Sequence, residues 1–170
     1  MPAPRWASTA TVDQNTGAGV YESYSAIVQL VERLHRHFLD VLRTELRRVG
    51  NEDINAVQAL LLFNIGQEDV VIRDLRDRGY YHGSNVSYNI KKLTELGYLT
   101  QERSPHDRRA TRLSLTEQGF NISRVVFELQ QALVENLKRH NVTDENLRTA
   151  FGTLEHLERT WTDYIRYGRD

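Results

Sequence analysis

Tyr98-Leu99-Thr100-Gln101-Glu102-Arg103-Ser104-Pro105-His106-Asp107-Arg108-Arg109-Ala110-Thr111-Arg112-Leu113-Ser114-Leu115 reads as two short strands, 98–103 and 110–115, around a polar turn. Arg103, His106, Arg108, Arg109 and Arg112 crowd that turn and its roots. A solvated charged turn would look like this, and so would a wing that touches a polyanion. An arginine at a loop tip suits the narrow, electronegative minor groove of duplex DNA. Asp107, two residues before Arg109, can pair with it and hold the tip rigid.

The segment just upstream decides between these readings. Ser84 is a good helix N-cap, and Val86, Ile90, Leu93 and Leu96 make one apolar stripe before Gly97 ends the helix. Opposite the stripe lie Ser84, Asn85, Ser87, Tyr88, Lys91 and Lys92. A helix that enters a major groove needs such a face. Ser, Asn and Tyr donate or accept at bases and phosphates, and Lys91 and Lys92 suit phosphates. On its own this could be any solvated helix face. From Ser84 to Arg112, however, six Lys/Arg stand against three acids, a local +3 in a chain whose net charge is −1. A cationic helix beside a cationic hairpin outweighs the solvated-surface reading.

Farther out the pattern is helical. Residues 1–19 read as a flexible N-terminal arm rich in Ala, Thr, Gly and Pro. From Tyr21 a long helix carries Ile27, Leu30, Val31, Leu34, Phe38, Val41, Leu42 and Leu46 to a stop at Gly50. A second helix is expected from about Asp53 to Phe63, and Val70-Val71-Ile72 can add a third strand to the hairpin. Arg73–Arg78 reads as a short helix and Gly79–Gly83 as a turn. Downstream, Thr116 can cap a long helix with Phe120, Val125, Val126, Leu129, Leu133 and Leu137. Thr143 can cap a last one with Leu147, Phe151, Leu154, Leu157, Trp161 and Tyr164.

Composition narrows the class. At 39% hydrophobic and 26% charged, 170 residues can form a compact soluble unit. No apolar run reaches the roughly 18 residues of a membrane span, and residues 1–19 have no signal-peptide character, so a cytoplasmic address is expected. With no cysteine there is no disulfide, thiolate metal site or thiol sensor. His35 and His37, two apart on a helix, point to different faces, and His82, His106, His140 and His156 are scattered, so no metal is expected. No phosphate loop or nucleophile–base set appears, so neither an enzyme nor a cofactor is expected. The terminal helices carry more apolar surface than a small domain can cover, and Phe151, Leu154, Leu157, Trp161 and Tyr164 are expected to pack on a second copy.

Leu96-Gly97-Tyr98-Leu99, Arg103, Asp107-Arg108-Arg109 and Leu113-Ser114-Leu115-Thr116-Glu117-Gln118-Gly119 together resemble the signature of the MarR family of winged-helix regulators. The resemblance runs through residues 21–165 in element order and is most specific over 84–119. Gly83–Asn89 also resembles a subgroup found in alphaproteobacteria. The implied fold is mainly α (α+β): a winged helix-turn-helix with a small antiparallel wing, flanked by long dimerisation helices. The division becomes an arm (1–19), a dimerisation helix (20–50), a DNA-binding domain (51–116) and C-terminal dimerisation helices (117–170). By resemblance Ser84–Leu96 is the recognition helix, Arg109 the minor-groove arginine and Asp107 its brace. The implied function is a homodimer on a pseudo-palindromic operator, usually a repressor, often released by a small aromatic ligand. Tyr24, His35, Phe38, Phe63 and Tyr81 lie on segments that line such ligand pockets in the family, although aromatics at helical spacing are more often core. The family's cysteine-based peroxide sensing is excluded here. The alternative from another class is a winged-helix module that binds protein.

Overall fold

The computed structural model describes residues 17–66, 70–71, 83–103 and 111–168. Among them are five helices and three strands: α1 (Gly17–Arg48), α2 (Ala56–Ile65), β1 (Val70–Val71), α3 (Gly83–Glu95), β2 (Leu99–Arg103), β3 (Thr111–Leu115), α4 (Glu117–Arg139) and α5 (Asp144–Tyr167). The fold is the mainly helical winged architecture expected from the sequence. The short helix expected over 73–78 and the turn after it lie outside the described residues.

Helix starts follow their caps. α1 begins four residues before the expected Tyr21 and takes the last three residues of the expected arm, Gly17–Gly19. Extending an existing helix needs only one hydrogen bond per added residue, so it can outrun the apolar pattern that nucleates it. α2 starts after Asn55 rather than at Asp53. There a capping box closes: Gln58 N donates to Asn55 Oδ1 at 2.9 Å, and Asn55 N donates to Gln58 Oε1 at 3.0 Å. Thr116 and Thr143 cap α4 and α5 as expected, each hydroxyl accepting a backbone N–H at 3.2 Å.

Helix ends share one device. After α3, Tyr98 N donates to Leu93 O at 2.9 Å and Gly97 N to Thr94 O at 3.1 Å, with Gly97 at φ 80. This is the Schellman pattern, and the left-handed residue it needs is inexpensive only without a Cβ. The same pair of bonds closes α4, where Asn141 takes φ 61.

The sheet has strand order β1-β3-β2, antiparallel throughout. Val70 pairs with Leu113, and Leu99 with Leu115, so the third strand expected at Val70-Val71 does join the hairpin. One core unites these elements. Leu42 and Leu46 of α1, Leu61 and Leu62 of α2, and Val86, Ile90 and Leu93 of α3 meet Tyr98, Leu99, Leu113, Ile122 and Val126. No residue of α5 is buried.

The joint between hairpin and α4 is closely packed. Thr116 N donates to Tyr98 O at 3.1 Å, and Thr116 Oγ1 donates to Gly97 O at 2.7 Å. A Cβ on Gly119 would lie 2.2 Å from Tyr98 O, a backbone atom that cannot swing away. The Tyr98 hydroxyl, fully buried, accepts from Asn51 Nδ2 at 2.7 Å and so ties the same point to the α1–α2 turn. Gly119→Ala is expected to destabilise the fold by about 1–3 kcal/mol, the range for overpacking a closed contact. Urea unfolding should show a lower midpoint with unchanged slope. A variant as stable as the parent would mean that α4 does not seat on the Tyr98 carbonyl.

Candidate nucleic-acid interface

The buried stripe of α3 marks the side it turns to the core. Val86, Ile90 and Leu93 are buried, which turns Asn85, Ser87, Tyr88 and Lys91 to the exposed side. Tyr88 is 66% exposed, so its ring adds almost nothing to the core and is available to a ligand. Lys91 Nζ lies 3.8 Å from Glu95 Oε1 with its side chain 77% exposed, a surface pair too weak to hold the ammonium back. Lys92 is half-buried, and its stem runs along the body of the domain. Ser84 stands in the first turn of α3, one residue after its start; its side chain lies outside the described residues.

Beside α3 stands the hairpin. Gln101 Nε2 donates to Thr94 Oγ1 at 2.8 Å, and Thr94 Oγ1 donates to Ile90 O at 2.8 Å, so β2 is fastened to the last turns of α3. Glu102 faces Arg112 across the strands, an opposite-charge register that favours this pairing. The hairpin starts at the buried Leu99 and reaches Arg103 opposite Thr111, about 13 Å away at strand rise. Residues 104–110, which join the strands at that outer end, carry the expected His106, Asp107, Arg108 and Arg109 and lie outside the described residues, as does the Arg103 side chain.

One polar residue was not expected at this interface. Asn89 sits within the buried stripe of α3 and accepts from Gln58 Nε2 at 3.2 Å. Its position three residues after Val86 and four before Leu93 places it on the apolar face, and that spacing was the available signal.

Of the expected effector residues, Tyr24 and Phe38 stand apart on α1 in the single chain. Tyr24 accepts from Trp161 Nε1 at 3.0 Å in a contact between α1 and α5. Fourteen residues along α1, about 21 Å away at helical rise, Phe38 packs half-buried on the core. Phe63 packs there too, His35 is exposed, and Tyr81 lies outside the described residues. An open groove of about 510 Å³ between α1 and α5 is lined by Tyr24, Ile27, His156 and Leu157 and includes no other member of the set.

The faces expected to meet a second copy are uncovered in the single chain. Phe151 is 68% and Tyr164 58% exposed, Leu154 and Trp161 are exposed, and Leu157 is half-buried. On α1, Val20, Tyr21, Leu30 and Leu34 are exposed as well. Near the end of α1, Arg48 donates two hydrogen bonds to Glu45, at 2.9 and 2.6 Å, and its guanidinium holds the Glu45 carboxyl below the usual carboxylate range. Among the described residues no helix is long and apolar enough to cross a membrane.

Comparison with known proteins follows the same outline. A family model of a winged helix DNA-binding domain matches residues 54–119, the span from α2 to the first turn of α4. The exopolysaccharide II synthesis transcriptional activator ExpG of Rhizobium meliloti (strain 1021) is 35% identical over 157 residues, covering 92% of this chain and 81% of the relative. Among solved structures, Streptococcus pneumoniae FabT in complex with DNA is similar with a TM-score of 0.66 at 23% identity, covering 82% of this chain and 98% of that one. A MarR transcriptional regulator from Methanosarcina mazei Go1 is similar with a TM-score of 0.60 at 22% identity, covering 82% and 98%. AbsC, a MarR family transcriptional regulator from Streptomyces coelicolor, is similar with a TM-score of 0.65 at 18% identity, covering 81% and 93%. Those structures speak for the fold, and the relative adds likeness of sequence along nearly the whole chain. With the capped α4, the β2–β3 hairpin and the α3 face described above, the chain belongs to the MarR family of winged helix-turn-helix transcriptional regulators.

Proposed function

We propose that this protein acts as a homodimer that binds a pseudo-palindromic duplex operator, with α3 in the major groove and the β2–β3 hairpin against the adjacent minor groove. The observation that carries the reading is the outward face of α3, where Asn85, Ser87, Tyr88 and Lys91 stand exposed on a helix fastened by its buried stripe and by Gln101. Asn85, Ser87 and Tyr88, with Ser84, are suited to base edges and phosphates, and Lys91 and Lys92 to phosphates alone. Arg109 takes the minor groove with Asp107 as its brace; Arg103, His106 and Arg108 contact the backbone beside it.

Two copies are part of the same reading. The exposed apolar rows on α1 and α5 are what supports a second copy, since such rows on a soluble protein mark an interaction surface. A two-fold dimer through them would set the two copies of α3 one DNA turn apart, about 34–36 Å. The sign of regulation is not a property of this fold. A bound dimer represses where its operator overlaps a promoter and activates where it assists polymerase, and the 35% identical relative is named an activator. Because Tyr24 stands about 21 Å along α1 from Phe38, no shared effector role is proposed for the two.

Operator duplexes selected from random DNA supply the test. Arg109→Ala should lower affinity for the selected duplex about tenfold or more while the dimer stays folded; an unchanged gel shift would remove Arg109 from the groove. For Lys91→Ala, anisotropy titrations over a salt series should give a weaker complex with the slope of log K against log salt shallower by about 1 and little change in sequence preference. A slope equal to the parent's would take Lys91 off the phosphates. Phe151→Glu combined with Tyr164→Glu should convert the dimer to monomer in sedimentation velocity. A dimer that survives this pair would put the interface elsewhere.

A further inference from the structure

The outward face of α3 accounts for its exposed polar side chains, but not for Asn89. That residue is 8% exposed, and its partner Gln58 is 5% exposed. The amide of Gln58 has no freedom to turn over. Its Oε1 accepts from the backbone N–H of Asn55 at 3.0 Å, and a backbone N–H only donates. Its Nε2 must therefore face α3, and there Asn89 must present Oδ1, at 3.2 Å. The first turn of α2, the capping box and the middle of α3 thus form one chain of directional contacts.

Leucine and methionine could fill the same volume, and replacing both partners of a buried hydrogen bond with apolar groups of like shape is nearly neutral for stability. What an apolar contact lacks is direction. A helix can roll on a greasy surface with little penalty, whereas a hydrogen bond weakens steeply once its angle closes toward about 120°. Reading base edges needs side chains held within about 0.5 Å and 10–20°. Phosphate attraction does not, because it depends on charge and falls off smoothly.

We propose that Gln58 and Asn89 are positioning residues that lock the roll of the recognition helix, and that they set discrimination between DNA sequences rather than affinity for DNA in general. This rests on the operator reading above.

The test uses the full chain, the selected operator duplex and a random duplex at one salt concentration, and reads the ratio of the two dissociation constants beside the thermal midpoint. Asn89→Leu leaves Gln58 Nε2 buried without an acceptor, so both the midpoint and the ratio should fall, the ratio about tenfold. Gln58→Met with Asn89→Leu removes the orphan and should regain most of the midpoint. The ratio should stay about tenfold low, and random-duplex affinity should equal the parent's in both. A pair that merely supported the fold would regain ratio and midpoint together; that result, or a ratio that never falls, overturns the proposal. If the double variant does not regain its midpoint, Asn89→Ala is measured at a temperature where circular dichroism shows it folded, with the same ratio deciding. A parent protein that prefers no sequence sinks the operator reading instead. The lock is then decided by amide hydrogen exchange over Val86–Leu93 in the double variant: faster than the parent supports it, equal overturns it.

Discussion

Everything near the interface hangs on the seating of α4 against the backbone of Tyr98. The Thr116 hydroxyl and amide take the carbonyls of Gly97 and Tyr98, and Gly119 comes so near that carbonyl that no side chain fits between them. Three elements meet at this point: the end of α3, the start of β2 and the first turn of α4. The Tyr98 ring fills the core beneath them, and its hydroxyl reaches back to Asn51. A contact with no slack transmits position. Any shift of α4 at its first turn must be felt at the end of α3.

A second set of polar contacts then orients α3 within that frame. Gln58 holds its middle, and Gln101 holds its last turns to the hairpin. Apolar packing supplies most of the energy, since nonpolar burial is large and non-directional. The amides supply direction. This division suits a helix whose outward side chains are to be held at a fixed angle on a small domain. The local charge is compatible with this: from Ser84 to Arg112 six Lys/Arg stand against three acids in a chain whose net charge is −1.

Much of this was legible in the residues. The two hairpin strands, the apolar stripe of α3, the caps Thr116 and Thr143, and the stops at Gly50 and Gly97 leave their mark in residue type and spacing. The start of α2 was misplaced by a few residues because Asp53 and Asn55 are both good caps. Only Asn55 has a glutamine three residues on to return the bond. The start of α1 was misplaced because Gly17–Gly19 carry no apolar side chain large enough to show a helical period. Within the expected effector set, Tyr24 and Phe38 lie fourteen residues apart on α1, a separation that the aromatic pattern does not show.

By itself, then, the sequence determined the winged-helix class, the cationic hairpin, the outward face of α3 and the exposed apolar rows of the terminal helices. All follow from period, cap and charge, which are local. The tertiary structure alone decided that Asn89 turns inward to Gln58, that Gly119 must be bare because of Tyr98, and that Tyr24 meets Trp161 across the ends of the chain. These contacts join residues 31, 21 and 137 positions apart. A side chain's own neighbours in sequence carry no record of such a partner, because it is brought within reach only when the core closes.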